Sequence, residues 1–140
     1  MLSSDRGTAA ARSPRPSLAL VKPAEPRTVS LMRRAAVEFA SAHGADATAL
    51  DDIALAVSEA ATNAVKHANV PGGEGIVELT AAVADDWVDV RIRDRGTGFG
   101  TRPSDGLGLG LSIIASVSVY LMICQEGHGT EVRMRFPLPR

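Results

Sequence analysis

Beyond Pro26 the apolar side chains return at steps of three and four: Val29, Met32, Ala36 and Phe39. That spacing is the period of a helix with one buried stripe. Pro26 can open such a helix, and Gly44 stands where it would end on a left-handed residue. A longer stretch, LDDIALAVSEAATNAVKHA, carries Ile53, Val57, Ala60, Ala64 and Ala68 at the same period. Thr48-Ala49-Leu50-Asp51 at its start has the form of a capping box, and Pro71-Gly72-Gly73 closes it. After those glycines the period falls to two. Trp87 to Asp94 alternates Val88, Val90 and Ile92 with Asp89, Arg91 and Arg93, the pattern of a strand with one face buried. Gly75 to Val83 reads as its neighbour across Asp85-Asp86, and Leu18 to Val21 as a short edge strand ending at Pro23. Leu107 to Val117 predicts a third helix, and Val119 to Gln125 and Thr130 to Phe136 two last strands around Glu126-Gly127-His128-Gly129.

The order β-α-α-β-β-loop-α-β-β predicts an α+β fold. We expect a two-layer sandwich whose mixed, largely antiparallel sheet carries its helices on one face. With 140 residues and 45% hydrophobic content, one core is the expectation. Residues 1–16, rich in Ser, Arg and Pro, read as a flexible tail, and 17–137 as a single domain. Fifteen basic and sixteen acidic side chains leave a net charge of -1, so no global field draws the chain to nucleic acid or an anionic membrane. No apolar run approaches the roughly 20 residues a membrane-spanning helix needs. The single Cys124 allows no internal disulfide and reads as a small core residue, which fits a cytoplasmic protein.

Candidate chemistry begins at Asp94. Counted by twos from Val88, it falls on the buried face, where a carboxylate needs a partner. It can cap the turn that follows, or accept a hydrogen bond from the edge of a polar ligand, an exocyclic amine for instance. Gly96, Gly98 and Gly100 come next: turn residues, or bare backbone against which a flat ring or a phosphate chain can lie. The run is not a dinucleotide fingerprint, because position 101 is Thr, and no G-K-S/T phosphate loop occurs. A second cluster, Gly106-Leu107-Gly108-Leu109-Gly110-Leu111, opens the expected third helix. Its free N–H groups suit phosphates, while the same Gly-Leu alternation serves equally as a packing seam. Glu59 and Asn63 stand one turn apart on the second helix. Such a pair can be a solvated polar face. It can also join a neutral oxygen for Mg²⁺ to a carboxylate that takes a proton from an attacking hydroxyl.

In order, Glu59-x-x-x-Asn63, Asp94-x-Gly96-x-Gly98-x-Gly100, Gly106-x-Gly108-x-Gly110 and Gly129-Thr130 resemble the N box, two glycine boxes and terminal Gly-Thr of the GHKL superfamily. That superfamily holds gyrase B, heat-shock chaperones, histidine kinases and mismatch-repair ATPases. Within it the chain is most similar to the compact bacterial anti-sigma factors that are serine/threonine kinases, with a helix carrying Arg33-Arg34 and the box SEAATNAVKHA. The resemblance implies a histidine kinase-like ATPase (Bergerat) fold with ATP and Mg²⁺ as cofactors. It further implies that Asn63 ligands Mg²⁺, Glu59 is the general base and Asp94 binds the adenine amine. The glycines, with Leu107 and Leu109 between them, would border adenine and phosphates, and Thr130 would support the base or a water. The partners implied are a sigma factor, held by a homodimer, and an anti-anti-sigma (STAS-type) protein that is phosphorylated. NAVKHA is equally at home in histidine kinases. His43, His67 and His128, however, lack the setting of a phosphoacceptor histidine, and the stretch before the second helix is short for a dimerisation hairpin.

Overall fold

The computed structural model describes residues 16–69, 75–95, 113–118, 120–126 and 129–139. Strand β1 (Ser17–Pro23) leads into helix α1 (Pro26–Ala42), then helix α2 (Ala47–Ala68). Strands β2 (Ile76–Ala84), β3 (Trp87–Asp94), β4 (Tyr120–Glu126) and β5 (Gly129–Pro137) complete a sheet of order β1-β2-β3-β5-β4. All four neighbouring pairs are antiparallel, so the parallel component allowed for by the sequence does not occur among them. Residues 113–117 are helical, within the span expected for a third helix, while 107–112 lie outside the described residues. So do all of the expected tail except Pro16 and the side chain of Cys124.

Each element follows from its local sequence. Pro26 sits at the first position of α1, where its missing N–H costs nothing, and Gly44 beyond the end takes φ +98°. For α2 the expected Thr48 capping box gives way to an earlier start. Asp46 is the N-cap, and its carboxylate accepts from the Ala49 N–H at 2.9 Å. A short carboxylate three residues before a free N–H meets it without strain and also faces the positive end of the helix dipole. Asp85, in the two-residue connection between β2 and β3, takes φ +56°, a conformation that aspartate tolerates better than most side chains.

The predicted parity holds. Val88, Val90 and Ile92 of β3 are buried with Val77 and Leu79 of β2 and Val132, Met134 and Phe136 of β5. Helix α2 lies on β2, β3 and β5, while α1 packs along α2 and meets β1 and β2. Ile53, Val57, Ala60, Ala64 and Ala68 of α2 are all buried, and Met32, Ala36 and Ala40 of α1 join the same core. Because α2 is covered both by the sheet and by α1, its buried arc extends beyond one stripe and takes in Asn63 and His67. Two hydrogen bonds fix its end: Asn69 Nδ2 donates to the Ala24 carbonyl at 2.9 Å, and the Gly75 N–H to Ala68 at 3.0 Å. The end of α2 is thereby held over the end of β3.

Candidate functional site

Residues four apart share one side of a helix, so Glu59, Asn63 and His67 form a polar column running about 12 Å along α2. Glu59 is half-buried, and Asn63 and His67 are each only 9% exposed. The column ends at Asp94, whose Oδ2 lies 3.7 Å from His67 Nδ1. That separation makes an ion pair when the imidazole is charged and is longer than a hydrogen bond.

Asp94 is where parity placed it: on the inner face of β3, 3% exposed. In register it stands between Val77 of β2 and Thr130 of β5, and the Thr130 side chain is buried beside it. Gly129 allows this close fit. A Cβ on Gly129 would stand 2.4 Å from the Asp94 carbonyl oxygen, so only glycine lets β5 begin hard against the end of β3. Helix α2 and strands β2 and β5 therefore frame the carboxylate together.

The hydrogen bonds around this column are unevenly distributed. Ser58 Oγ and Thr62 Oγ1, on the same helix, each donate to the carbonyl four residues back at 2.7 Å. Arg33 of α1 reaches Ser58 at 3.4 Å, next to Glu59. Among the described residues, by contrast, the buried Asn63 amide and Thr130 hydroxyl and the half-buried Glu59 carboxylate have no hydrogen-bond or ionic partner. Leaving a buried polar group unmade costs about 1–3 kcal/mol, so such groups mark surfaces that a ligand completes. The arrangement offers a carboxylate acceptor at one end, a neutral amide oxygen in the middle and a second carboxylate at the other end. The site is therefore long, polar and graded.

Sequence reasoning reached Glu59, Asn63, Asp94 and Thr130, and the fold brings Asn63, Asp94 and Thr130 to one end of the sandwich with Glu59 one turn beyond. Gly96, Gly98, Gly100, Gly106, Leu107, Gly108, Leu109 and Gly110 lie outside the described residues, as does His128. His67 was missed as a site residue. The signal was available, since counting one more turn from Glu59 and Asn63 lands on it. Among the described residues no group of three His, Cys, Asp or Glu could hold a metal ion. Magnesium does not require one, because it is held by one or two protein oxygens with phosphates and water supplying the rest. The unpartnered Asn63 amide fits that part. No helix among the described residues is long and apolar enough to cross a membrane.

The chain is similar to proteins named serine-protein kinase RsbW. Serine-protein kinase RsbW of Listeria monocytogenes serotype 4a (strain HCC23) is 39% identical over 82 residues, covering 59% of this chain and 52% of the relative. Serine-protein kinase RsbW of Bacillus subtilis (strain 168) is 36% identical over 77 residues, 55% of this chain and 48% of the relative. The chain thus spans about half the length of the relatives it matches. Among solved structures, the RsbU and RsbW domains of Rv1364c from Mycobacterium tuberculosis superpose with a TM-score of 0.71 at 26% identity, over 92% of this chain and 34% of that one. The histidine kinase domain of Erythrobacter litoralis EL346 shares the fold, with a TM-score of 0.56 at 22% identity over 95% of this chain and 69% of that one. The family described as histidine kinase-like ATPase domain matches residues 22–136, a span that holds the whole polar column and its Asp94 terminus, and the chain belongs to that family.

Proposed function

We propose that this chain binds ATP with Mg²⁺ and acts as a serine/threonine protein kinase of the anti-sigma factor type. In this reading it phosphorylates an anti-anti-sigma protein and sequesters a sigma factor by partner switching, as a cytoplasmic homodimer. The observation that carries the reading is that, among the described residues, the buried Asn63 amide and Thr130 hydroxyl have no protein partner, Asn63 standing one helical turn from Glu59 and Thr130 directly across from Asp94. The names of the RsbW relatives support the choice of a serine kinase.

The same reading gives each residue the role that the family resemblance implies. Asp94 accepts the exocyclic amine of the base, and the stabilising bond compensates for the hydration the carboxylate gave up on burial. Asn63, one turn before His67, faces the phosphate end with an oxygen suited to a hard cation. Bound there, magnesium would neutralise charge on the transferring phosphoryl group. Glu59 lies a further turn away, about 6 Å along the axis, where a carboxylate can accept the proton of an attacking hydroxyl. Such a base contributes on the order of 10² to 10⁴ in rate. The glycine clusters from Gly96 to Gly110 would border the base and phosphates, with Leu107 and Leu109 between them.

The test is phosphoryl transfer from labelled ATP to candidate anti-anti-sigma proteins. Acid-stable phosphoserine or phosphothreonine on the acceptor is the expected product. Acid-labile label would assign the chain to histidine chemistry, and tight ATP binding without any transfer would make it a nucleotide-gated binding protein.

A further inference from the structure

The sheet face away from the helices carries charge that the fold does not use. Arg91 and Arg93 of β3, Arg133 and Arg135 of β5 and Arg95 just past β3 alternate with the buried residues and therefore share that outer face. Among the described residues three acids stand with them, and each is engaged: Glu78 with Arg95 and Asp89 with Arg135 at 2.6 and 2.7 Å, and Glu131 with Arg133. Register makes the leftover plain. Glu78 and Glu131 lie directly across from Arg93 on its two sides, yet both are tied to other arginines. Arg91 faces Thr80 on one side and Arg133 on the other. Among the described residues, the exposed Arg91 and Arg93 therefore have no ionic partner, and they sit on the middle strand of the sheet.

Folding does not explain this arrangement, because like charges directly opposite on neighbouring strands are destabilising. A notch of about 50 Å³ opens beside the like-charged pair, lined by Asp89, Val90, Arg91, Arg133, Met134 and Arg135. It is far smaller than the ~300 Å³ at which clefts for small organic ligands begin, and it suits a single side-chain head group. Its rim of guanidinium groups selects a carboxylate, which arginine binds with paired N–H donors.

We propose that this outer sheet face is a docking surface for an acidic protein segment, separate from the nucleotide site and independent of the function proposed there. Arg91 and Arg93, two residues apart on a strand, are spaced by roughly 6.6 Å. Carboxylates one helical turn apart, roughly 6 Å, match that spacing, so the segment carries two acids at i and i+4 and sets one of them against Arg91 and Arg133. Glu78, Asp89 and Glu131 interrupt the positive field and oppose a continuous phosphate backbone, which leaves protein carboxylates as the fitting partner.

The probe is a fluorescein-labelled, alanine-based helical peptide of about 16 residues with glutamates four apart, followed by anisotropy against the full chain without nucleotide. Lysine replaces glutamate in a control peptide, and a short DNA duplex of equal charge is the third ligand. The glutamate peptide should bind, weaken as salt rises from about 50 to about 300 mM, and lose about tenfold in affinity when both Arg91→Glu and Arg93→Glu are introduced. The single variant Arg91→Glu should melt no lower than the parent, since it turns the repulsive cross-strand pair with Arg133 into an attractive one. Arg91→Gln with Arg93→Gln, which removes charge without reversing it, should weaken binding by a smaller factor. Tighter binding of the duplex than of the peptide, equal binding of both peptides, unchanged affinity in the double glutamate variant, or an Arg91→Glu variant that melts well below the parent would each overturn the proposal. None of these outcomes depends on whether the chain binds ATP.

Discussion

Replacing Gly129 with alanine probes how Asp94 is held. The new Cβ would stand 2.4 Å from the Asp94 carbonyl oxygen, 3.5 Å from its carbonyl carbon and 3.8 Å from Arg95 Cα. A carbon and a carbonyl oxygen approach no closer than about 3.3 Å, so one strand must retreat by roughly 1 Å. No flexible side chain can yield, because the obstacle is the backbone of β3, paired on both sides with β2 and β5. Overpacking of this kind costs about 1–3 kcal/mol. Gly129 does not take a left-handed φ, so alanine also recovers about 0.4–1 kcal/mol by restricting the unfolded chain. The net loss is about 1–2 kcal/mol, or about 3–8 °C in Tm for a chain of this size.

The local consequence should exceed the global one. A retreat of β5 removes Thr130 from its place beside Asp94, and we expect Gly129→Ala to weaken ATP binding by at least about tenfold in calorimetry, measured well below Tm. Gly75→Ala is the contrast. Gly75 takes φ +69° with nothing within 4 Å of a built Cβ, so alanine there costs about 1 kcal/mol in backbone strain and leaves ATP affinity unchanged. If Gly129→Ala kept both Tm and affinity, β5 would not be pressed against β3 and the framing of Asp94 would be wrong.

Other substitutions separate binding, transfer and stability. Asp94→Asn presents an amide donor toward the base amine in place of acceptors only, and calorimetry should find ATP binding lost; retained affinity would remove Asp94 from its role. Glu59→Ala should leave binding within a factor of about two while transfer falls by 10² or more, about the full contribution of a general base, in a single-turnover assay. His67→Phe fills the same space without the ring nitrogens and should weaken ATP binding about tenfold with little change in Tm, an outcome that equal affinities would refute. Asp46→Ala removes the α2 N-cap and should cost about 1 kcal/mol in urea unfolding without altering ATP affinity.

The strands and helices were legible because the chain is locally consistent. Period two in β3 and period 3.6 in α2 each agree with the face that the tertiary structure buries. The start of α2 was misread because a Thr-x-x-Asp pattern competes with Asp46, two residues earlier, and only geometry decides which side chain meets a free N–H. Parity alone put Asp94 inside, whereas nothing local announces that Gly129 presses on its carbonyl, a contact between residues 35 positions apart in the chain. His67 was weighed only as a phosphoacceptor, and not as part of the column, for a related reason. Inside a helix that reads as amphipathic, a histidine on the same side as Asn63 is unremarkable until the end of β3 is known to lie beneath it.

The two faces of the sheet place their unmatched polar groups in opposite ways, and the difference separates what each is built to meet. On the inner side, among the described residues, Asn63 of α2 and Thr130 of β5 are unpartnered and buried, so their cost is desolvation, recovered only by a ligand that reaches inside and restores hydrogen bonds. On the outer face, among the described residues, Arg91 and Arg93 have no ionic partner and are exposed, so water already satisfies their donors and the cost is mutual repulsion, relieved by any opposite charge that comes near. The first kind of site should discriminate by shape and hydrogen-bond pattern and respond weakly to salt. The second should discriminate by charge and respond steeply. Measuring ATP affinity and acidic-peptide affinity across one salt series therefore tests both assignments together, and equal slopes would contradict the division between the two faces.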